Sequence, residues 1–235
     1  MLPLLTPETP HPINWAEGKI LLIDKPLTWT SFQAVNKLRY ATRSKKIGHA
    51  GTLDPLASGL LVLCTGKMTK QIEQFMGQEK EYTGTFVFGK TTPSYDLETQ
   101  FDSENGVEGL TAEQLTALLP TFTGAIQQVP PLHSAVKVGG KRAYELARKG
   151  REHALDARTV EIREFELTRI ALPEVDFRVV CSKGTYIRSL AHDLGQAAGT
   201  GAHLAALRRT RIGDFRIEQA WQLADLVEFV KNGNP

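Results

Sequence analysis

Residues 48–55 read Gly48-His49-Ala50-Gly51-Thr52-Leu53-Asp54-Pro55. One carboxylate lies in a short segment framed by two glycines, a histidine and a proline. Glycine lets a backbone turn tightly or lets another group come close. Proline fixes its own φ and biases the residue before it towards extended backbone. Asp54 is therefore expected to be held rigidly, as a catalytic nucleophile must be. Taken alone, an Asp-Pro pair reads differently, as a helix start with Asp at the N-cap and Pro in the first turn. The company of this pair favours chemistry, because Gly48, His49 and Gly51 precede it and Arg39, Arg43, Lys45 and Lys46 lie just upstream.

Outward from this segment the chain alternates short strands and helices. Residues 1–17 hold Pro3, Pro7, Pro10 and Pro12 and read as an extended arm. Ile20 to Ile23 is a short buried strand that ends at Asp24-Lys25-Pro26. Thr30 and Gln33 have the spacing of a capping box, and Phe32, Val35 and Leu38 are expected to line one face of the helix that follows. Leu60 to Cys64 is a buried strand, and Lys80 to Phe88 alternates with Tyr82, Phe86 and Phe88 on one face. Thr91 to Gly109 reads as a loop. Thr111 to Gln114 caps a helix closed by Pro120, and Gln128 to Pro131 is extended. Ala143 to Lys149 reads as a short helix stopped by Gly150. Thr159 to Leu167 and Asp176 to Ser182 are strands. Tyr186 to Ala198 is a helix with Ile187, Leu190, Ala191 and Leu194 on one face. Ala202 to Arg209 is expected to form a second helix and Trp221 to Val230 a third. Antiparallel-looking strands with scattered helices predict an α+β fold.

Composition excludes several classes. The chain has 235 residues, 41% apolar and 23% charged, as in an ordinary globular protein of one large domain or two small ones. No apolar run approaches the ~20 residues of a membrane-spanning helix, and the N-terminus carries no secretory signal pattern. Cys64 and Cys181 are far apart in strand-like segments, which predicts buried free thiols, a reducing cytoplasmic setting and no zinc site. The net charge of +2 is unevenly spread. Thr91 to Val136 contains six acids and no Lys or Arg; the remainder carries 28 basic residues against 20 acidic ones. Three basic clusters stand out: Arg39–Lys46, then Lys137, Lys141, Arg142, Arg148, Lys149 and Arg151, then Arg208, Arg209, Arg211 and Arg216. Together they suggest a polyanion partner.

A second segment, Cys181-Ser182-Lys183-Gly184-Thr185-Tyr186-Ile187-Arg188, joins a strand to a helix. Arg188 falls in the first helical turn, where a cation opposes the macrodipole by about 0.3–1 kcal/mol. A carboxylate or phosphate should offset it. Pairing with Asp54 would keep that carboxyl ionised, and a guanidinium fork would also fix its orientation. Tyr82 and Tyr186 are the aromatic candidates for holding an unpaired base, which RNA-binding proteins commonly stack on such rings. An enzyme acting on a base inside a folded nucleic acid must extrude it.

In their order and spacing these segments resemble the TruB family of pseudouridine synthases, which convert uridine 55 of the tRNA T-loop to pseudouridine. Asp24-Lys25-Pro26 with Thr30-Ser31 is similar to the family's first motif. Gly48 to Pro55, extended through Ser58-Gly59 and Gly66, is similar to the second, which makes Asp54 the catalytic aspartate and His49 a residue that places the target nucleotide. Lys80-Glu81-Tyr82 matches the strand whose tyrosine stacks on the target uracil. Thr92 to Asp96 is a variant of the Thr-rich motif, with Pro93 and Tyr95 unusual. Gln128 to Lys137 with Lys141 to Glu145, Ser182 to Arg188, and Gly201 to Thr210 match further segments, and Leu207 falls at a substrate-contacting leucine. The resemblance implies a catalytic fold with a mixed, mainly antiparallel sheet flanked by helices and loops. It implies catalytic roles for Asp54, Tyr186 and Arg188, with His49, Tyr82, Tyr186, Leu207, Lys25 and Lys183 at the substrate. It divides the chain into an arm at 1–17, a catalytic domain at 18–216 with an acidic insertion at about 91–127, and a C-terminal helix and tail at 217–235. Many family members continue into a PUA domain; none is expected here, which leaves the basic clusters to grip the RNA.

The implied reaction breaks the C1′–N1 bond, turns the uracil and joins C5 to C1′. It needs no cofactor. Gly66-Lys67 lacks P-loop spacing and Gly199-Thr200-Gly201 lacks the third glycine of a dinucleotide fingerprint. Asp54 acts as nucleophile or initiating base; the residues leave open whether it attacks C1′, attacks C6 or first removes a sugar proton. A carboxylate beside a developing sugar cation is reasonable by analogy with glycosidases. Tyr186, with an ordinary phenol pKa near 10, is given orientation first and proton removal from C5 second. The implied substrate is the T-stem-loop of tRNA, acted on by a monomer without protein partner, membrane or metal. The alternatives are a non-catalytic tRNA-folding chaperone of the same fold and a guide-RNA-dependent synthase.

Overall fold

Ile20-Leu21-Leu22-Ile23 shows no polar alternation because both of its faces are covered. In the computed structural model, which describes residues 2–134, 137, 138, 141–143 and 155–233, this run forms β1 (Ile20–Lys25). Leu21 and Ile23 enter one apolar cluster and Ile20 and Leu22 another. A strand buried on both faces reads as a continuous apolar run. The same holds for Leu60 to Cys64 in β3 (Ala57–Thr65), which pairs antiparallel with β1 from Ile20↔Cys64 to Lys25↔Gly59.

Residues 1–82 and 207–235 form one compact unit and residues 83–206 a second. In the first, β2 (Ile47–His49) runs antiparallel to β3. β14 (Trp221–Gln222) runs parallel to β1. α1 (Ser31–Thr42) starts with the predicted capping box, Thr30 accepting from the Gln33 backbone N–H and Gln33 accepting from that of Thr30. It packs with α5 (Leu223–Asn232) over Leu21, Ile23, Leu61 and Leu63. The other face is closed by Ala50, Phe75, Ile212 and Phe215, with Phe75 on the short helix α2 (Ile72–Gly77). Leu5, Ile13 and Trp15 of the proline-rich arm belong to the α1–α5 cluster, so the arm is docked on the core, and it turns at residues 7–8 and 15–17.

The second unit holds most of β4 (Lys80–Phe88), with β7 (Gly124–Gln128), β10 (Arg158–Ala171) and β11 (Glu174–Cys181). β11 lies between β4 and β10, and β10 pairs antiparallel with both β7 and β11. Two small hairpins, β5 (Lys90–Thr91) with β6 (Ser103–Glu104) and β8 (Lys137–Val138) with β9 (Lys141–Arg142), stand apart from this sheet. α3 (Ala112–Leu118) carries the predicted capping box at Thr111 and Gln114 and runs on into a 3-10 turn at Leu119–Phe122, with Pro120 inside it. α4 (Ile187–Ala197) buries Ile187, Leu190, Ala191 and Leu194 as predicted. The sheet is mixed and mainly antiparallel, and the fold is α+β.

Three expectations are corrected. The helix expected at Ala202–Arg209 is a strand, β12 (Ala202–Ile212), placed between β3 and β4. Alanine, leucine and arginine favour helix in isolation, but a central slot in a sheet outweighs a propensity difference of tenths of a kcal/mol per residue. β12 continues into β13 (Phe215–Arg216). The buried face of α1 is Ser31, Ala34, Val35, Leu38 and Thr42, while Phe32 is 64% exposed. The stretch from Thr91 to Gly109 is not all loop, because β5 and β6 pair across it and Asp96 bridges to Leu204. Of the short helix expected at Ala143–Lys149 and stopped by Gly150, residues 144–150 lie outside those described.

Candidate active site

Asp54 does not start a helix. Residues 54–57 form a turn in which the Ala57 N–H donates to the Asp54 carbonyl at 3.1 Å, and β3 follows at once. The segment is gripped on several sides. Ser31 Oγ accepts from the Leu53 N–H at 2.9 Å and donates to the Leu53 carbonyl at 3.0 Å. The Thr28 N–H donates to the Pro55 carbonyl at 2.8 Å. Thr28 does so at φ 69°, a left-handed conformation that a β-branched residue rarely adopts. Thr30-Ser31 thus has two jobs, capping α1 and clamping the peptide before the aspartate.

The deepest grip comes from Arg209, 1% exposed on β12. Its Nε donates to the Leu60 carbonyl at 2.8 Å, and its terminal nitrogens donate to those of Gly51 at 3.1 Å and Thr52 at 3.4 Å. One guanidinium therefore holds the backbone on both sides of Asp54. The parallel register Leu207↔Ala57, Arg208↔Ser58 and Arg209↔Gly59 brings β12 against the end of the motif. This explains Gly59: at φ +105°, a Cβ there would lie 2.3 Å from the Arg209 carbonyl oxygen.

Electrostatics follow from burial. Lys25 is fully buried, and its ammonium donates to the Pro26 carbonyl at 2.9 Å and to that of Trp29. Burial pulls its pKa down to about 8, opposed by the carboxylate of Asp54; Arg209 lowers it further and Asp24 raises it. Lys25 thus places a cation in the field of Asp54. His49, the last residue of β2, has its pKa lowered by burial and then by Arg209, partly opposed by a hydrogen bond to the Gly51 backbone. Its imidazole is accordingly neutral near pH 7. Asp24 is held by Arg208 through two bonds, at 2.6 and 3.1 Å.

This corrects the reading of the third basic cluster. Arg208 pairs with Asp24, Arg209 is enclosed by carbonyls, and Arg211 pairs with Glu79 at 2.8 Å. These three charges are engaged within the fold. Tyr82 is buried near the start of β4, and Leu207 is half-buried on β12.

The second unit assembles the remaining residues. Tyr186 is the N-cap of α4, and its peptide is bracketed by buried Gln128, whose Oε1 accepts from the Tyr186 N–H at 2.7 Å and whose Nε2 donates to its carbonyl at 3.1 Å. The Arg158 guanidinium lies 4.7 Å from the centre of the Tyr186 ring and donates to the Gly184 carbonyl. Arg188 is buried in the first turn of α4. It donates to the His133 carbonyl at 3.0 Å and that of Ser94 at 3.4 Å, and it forms an ion pair with buried Asp96 at 3.6 Å. Asp96 supplies the negative charge that a cation at a helix N-terminus requires. Tyr95, just before it, adopts a left-handed φ of 64°. Lys183 is exposed in the turn before α4.

Ser31, Arg209 and Gln128 carry roles that the sequence reading did not assign. All three lie inside motifs that the sequence shows, but nothing local marks Ser31 or Gln128 as a clamp or separates Arg209 from the basic cluster around it. Both cysteines are buried and free, as predicted, and burial pushes the Cys64 thiol up to about 12. Among the described residues no cluster of His, Cys, Asp or Glu could hold a metal, and no helix is long and apolar enough to cross a membrane.

This α+β architecture is the catalytic fold of pseudouridine synthases. Over 97% of its length the chain superposes, with TM-score 0.73 and 31% identity, on a chain of a Cbf5–Nop10–Gar1 complex. It matches a chain of an archaeal box H/ACA sRNP Nop10–Cbf5 complex at TM-score 0.69 and 28% identity, over 95% of its length. It spans 58% and 57% of those two chains. The chain belongs to the TruB family of pseudouridylate synthases: residues 39–187 match the N-terminal domain of that family, and residues 188–234 match the tRNA pseudouridylate synthase B C-terminal domain. A tRNA pseudouridine synthase B of Flavobacterium johnsoniae is 56% identical over 89% of this chain and 94% of its own. One of Phocaeicola vulgatus is 51% identical over 93% of this chain and 95% of its own.

Proposed function

We propose that the protein is a tRNA pseudouridine synthase that isomerises uridine 55 of the T-loop, with Asp54 as the reacting carboxylate. The observation that carries this reading is the immobilisation of Asp54 by Ser31, Thr28 and Arg209, with buried Lys25 supplying positive charge nearby. Preorganising one charged group in a shaped site is the form that most enzymatic rate enhancement takes.

The target uridine is extruded from its loop and its ring stacks on Tyr82. His49 places the nucleotide, and Leu207, Lys25 and Lys183 line its surroundings. Asp54 enters as nucleophile or initiating base. The C1′–N1 bond breaks, the uracil turns in place, C5 bonds to C1′, and the proton leaves C5 while N1 gains one. Tyr186, pinned by Gln128, orients the ring during that turn first and assists proton removal second. Arg188 is proposed to reach Asp54 as well as Asp96, its planar fork serving two carboxylates. No cofactor takes part. The enzyme acts as a cytoplasmic monomer on the bare T-stem-loop, unlike a guide-RNA-dependent synthase.

Release of tritium from tRNA carrying [5-³H]uridine tests the reading, since a pure folding chaperone releases none. Asp54→Asn is expected to abolish release while tRNA binding persists; product above ~1% of wild type overturns the role of Asp54, because losing such a group costs many powers of ten. Arg188→Lys is expected to be severely impaired, since lysine lacks the fork. Activity of the pure protein on an isolated T-stem-loop separates it from a guide-dependent enzyme.

A further inference from the structure

We propose that the outward face of α1, together with residues 43–46 that follow it, is a docking surface for the phosphate backbone of the substrate RNA along the strand that leads away from the target nucleotide. The proposal rests on the reading of the chain as an RNA-modifying enzyme and names where that RNA is held.

Between Asp24 and Asp54 the chain has no acidic residue at all, and it has six basic ones. Lys25 is buried; Lys37, Arg39, Arg43, Lys45 and Lys46 are exposed. Among the described residues none of these five has a carboxylate partner. The contrast with β12 is informative, because there Arg208, Arg209 and Arg211 are matched by Asp24, backbone carbonyls and Glu79. Among the described residues the exposed cations of α1 and of residues 43–46 have no such match.

The same face carries two aromatic rings. Phe32 is 64% and Tyr40 82% exposed. On the helix Phe32, Asn36 and Arg39 fall in one stripe, with Lys37 and Tyr40 beside it, and Arg43 is the left-handed C-cap that ends it. From Phe32 to this cap the face is about 16 Å long at 1.5 Å per residue, enough to face several phosphates of one strand. Cations near a helix C-terminus also complement the macrodipole. That accounts for Arg39 and Arg43, but it leaves Lys37 in mid-helix and the uncovered rings without a reason. Basic side chains interleaved with exposed aromatic rings suit a nucleic acid, the cations meeting phosphates and the rings meeting riboses or unstacked bases. The opposite face of α1 is buried in the core, while Phe32 and Tyr40 stand exposed on this one. At its N-terminal end α1 meets the site, because Ser31 bonds both groups of the Leu53 peptide beside Asp54, whereas Lys46 leads into β2, whose Ile47 pairs with Thr65 at the far end of β3. An RNA strand on this face therefore runs from the reacting carboxylate at Phe32 towards the basic residues one helix length away.

The test measures binding of a T-stem-loop hairpin and of whole tRNA across a range of salt. Combined Arg39→Ala, Arg43→Ala, Lys45→Ala and Lys46→Ala is expected to weaken binding of both RNAs at least about tenfold at low salt and to reduce the slope of log K against log[salt] by about 3. Arg39→Lys with Arg43→Lys, which keeps the charge, is expected to retain the wild-type slope. Phe32→Ala with Tyr40→Ala is expected to weaken binding about fivefold or more at every salt with the slope unchanged, since stacking releases no counterions. All these side chains are exposed, and equal melting temperatures confirm that the variants fold. Unchanged affinity and slope in the fourfold variant, as an acidic protein partner on this face would give, overturns the proposal while the wild-type enzyme remains active. Loss restricted to whole tRNA overturns the placement on the strand that carries the target nucleotide. Failure of the wild type itself to bind or modify RNA overturns the functional reading as well.

Discussion

Arg209 reaches three carbonyls, those of Gly51, Thr52 and Leu60, from a single buried guanidinium. Lysine at this position has one terminal nitrogen and no planar fork, so it leaves buried carbonyls unmatched at about 1–3 kcal/mol each. Arg209→Lys is expected to lower the single-turnover rate at least about tenfold while RNA affinity falls less, because the loop bearing Asp54 loses its fixed geometry. A rate within twofold of wild type would remove Arg209 from the positioning scheme. Asp54 and His49 could be singled out from the sequence because glycine, proline and histidine around one carboxylate are a local pattern. Arg209 could not, because nothing in Leu207-Arg208-Arg209-Thr210 says which of two adjacent arginines turns inward. In a strand neighbours point to opposite faces, so that choice depends on knowing that the segment is a strand and which strand lies beside it.

At the scale of elements, α4 concentrates polar groups in an apolar setting. The rings of His192 and Tyr95 stack with centres 4.0 Å apart. Burial raises the pKa of Asp193 on the same helix from 3.8 to about 6. A carboxyl raised in the native state binds its proton more tightly there than in the unfolded chain. Its ionised form therefore costs stability in full above pH 6, and the cost fades as the pH falls from about 6 towards 4. Asp193→Asn is expected to raise the melting temperature by roughly 2–6 °C at pH 8, with the gain shrinking towards pH 4; an equal gain at both values would contradict this account. The helices with strong local signals, the capping boxes at Thr30 and Thr111 and the apolar stripe of α4, were legible in sequence. β12 was not, because Ala-His-Leu-Ala-Ala-Leu carries helix-forming residues in a run too short for its period to decide.

The molecule as a whole is built as two units whose cores are separately apolar, and the first draws on chain segments far apart in sequence. Leu5, Ile13 and Trp15 pack with α1 and α5, residues more than two hundred positions later completing the same cluster. The Leu5 N–H donates to the Ile20 carbonyl at 2.9 Å, and the Ile20 N–H donates to the Pro3 carbonyl at 3.0 Å. Deleting residues 2–15 is expected to destabilise the protein by roughly 4–8 kcal/mol, the burial of three large apolar side chains. A shift of the urea midpoint measures it, and an unchanged midpoint would show that the arm does not contribute to the core. The sequence by itself determined the family resemblance, the doubly buried strands and the candidate carboxylate, because each is written in neighbouring residues and their spacing. The tertiary structure alone decided that 202–212 is a strand, that Arg208, Arg209 and Arg211 are matched inside the fold and that, among the described residues, the exposed cations of α1 have no carboxylate partner. Burial and charge partnership belong to pairs of groups distant along the chain, and no window of sequence contains both members.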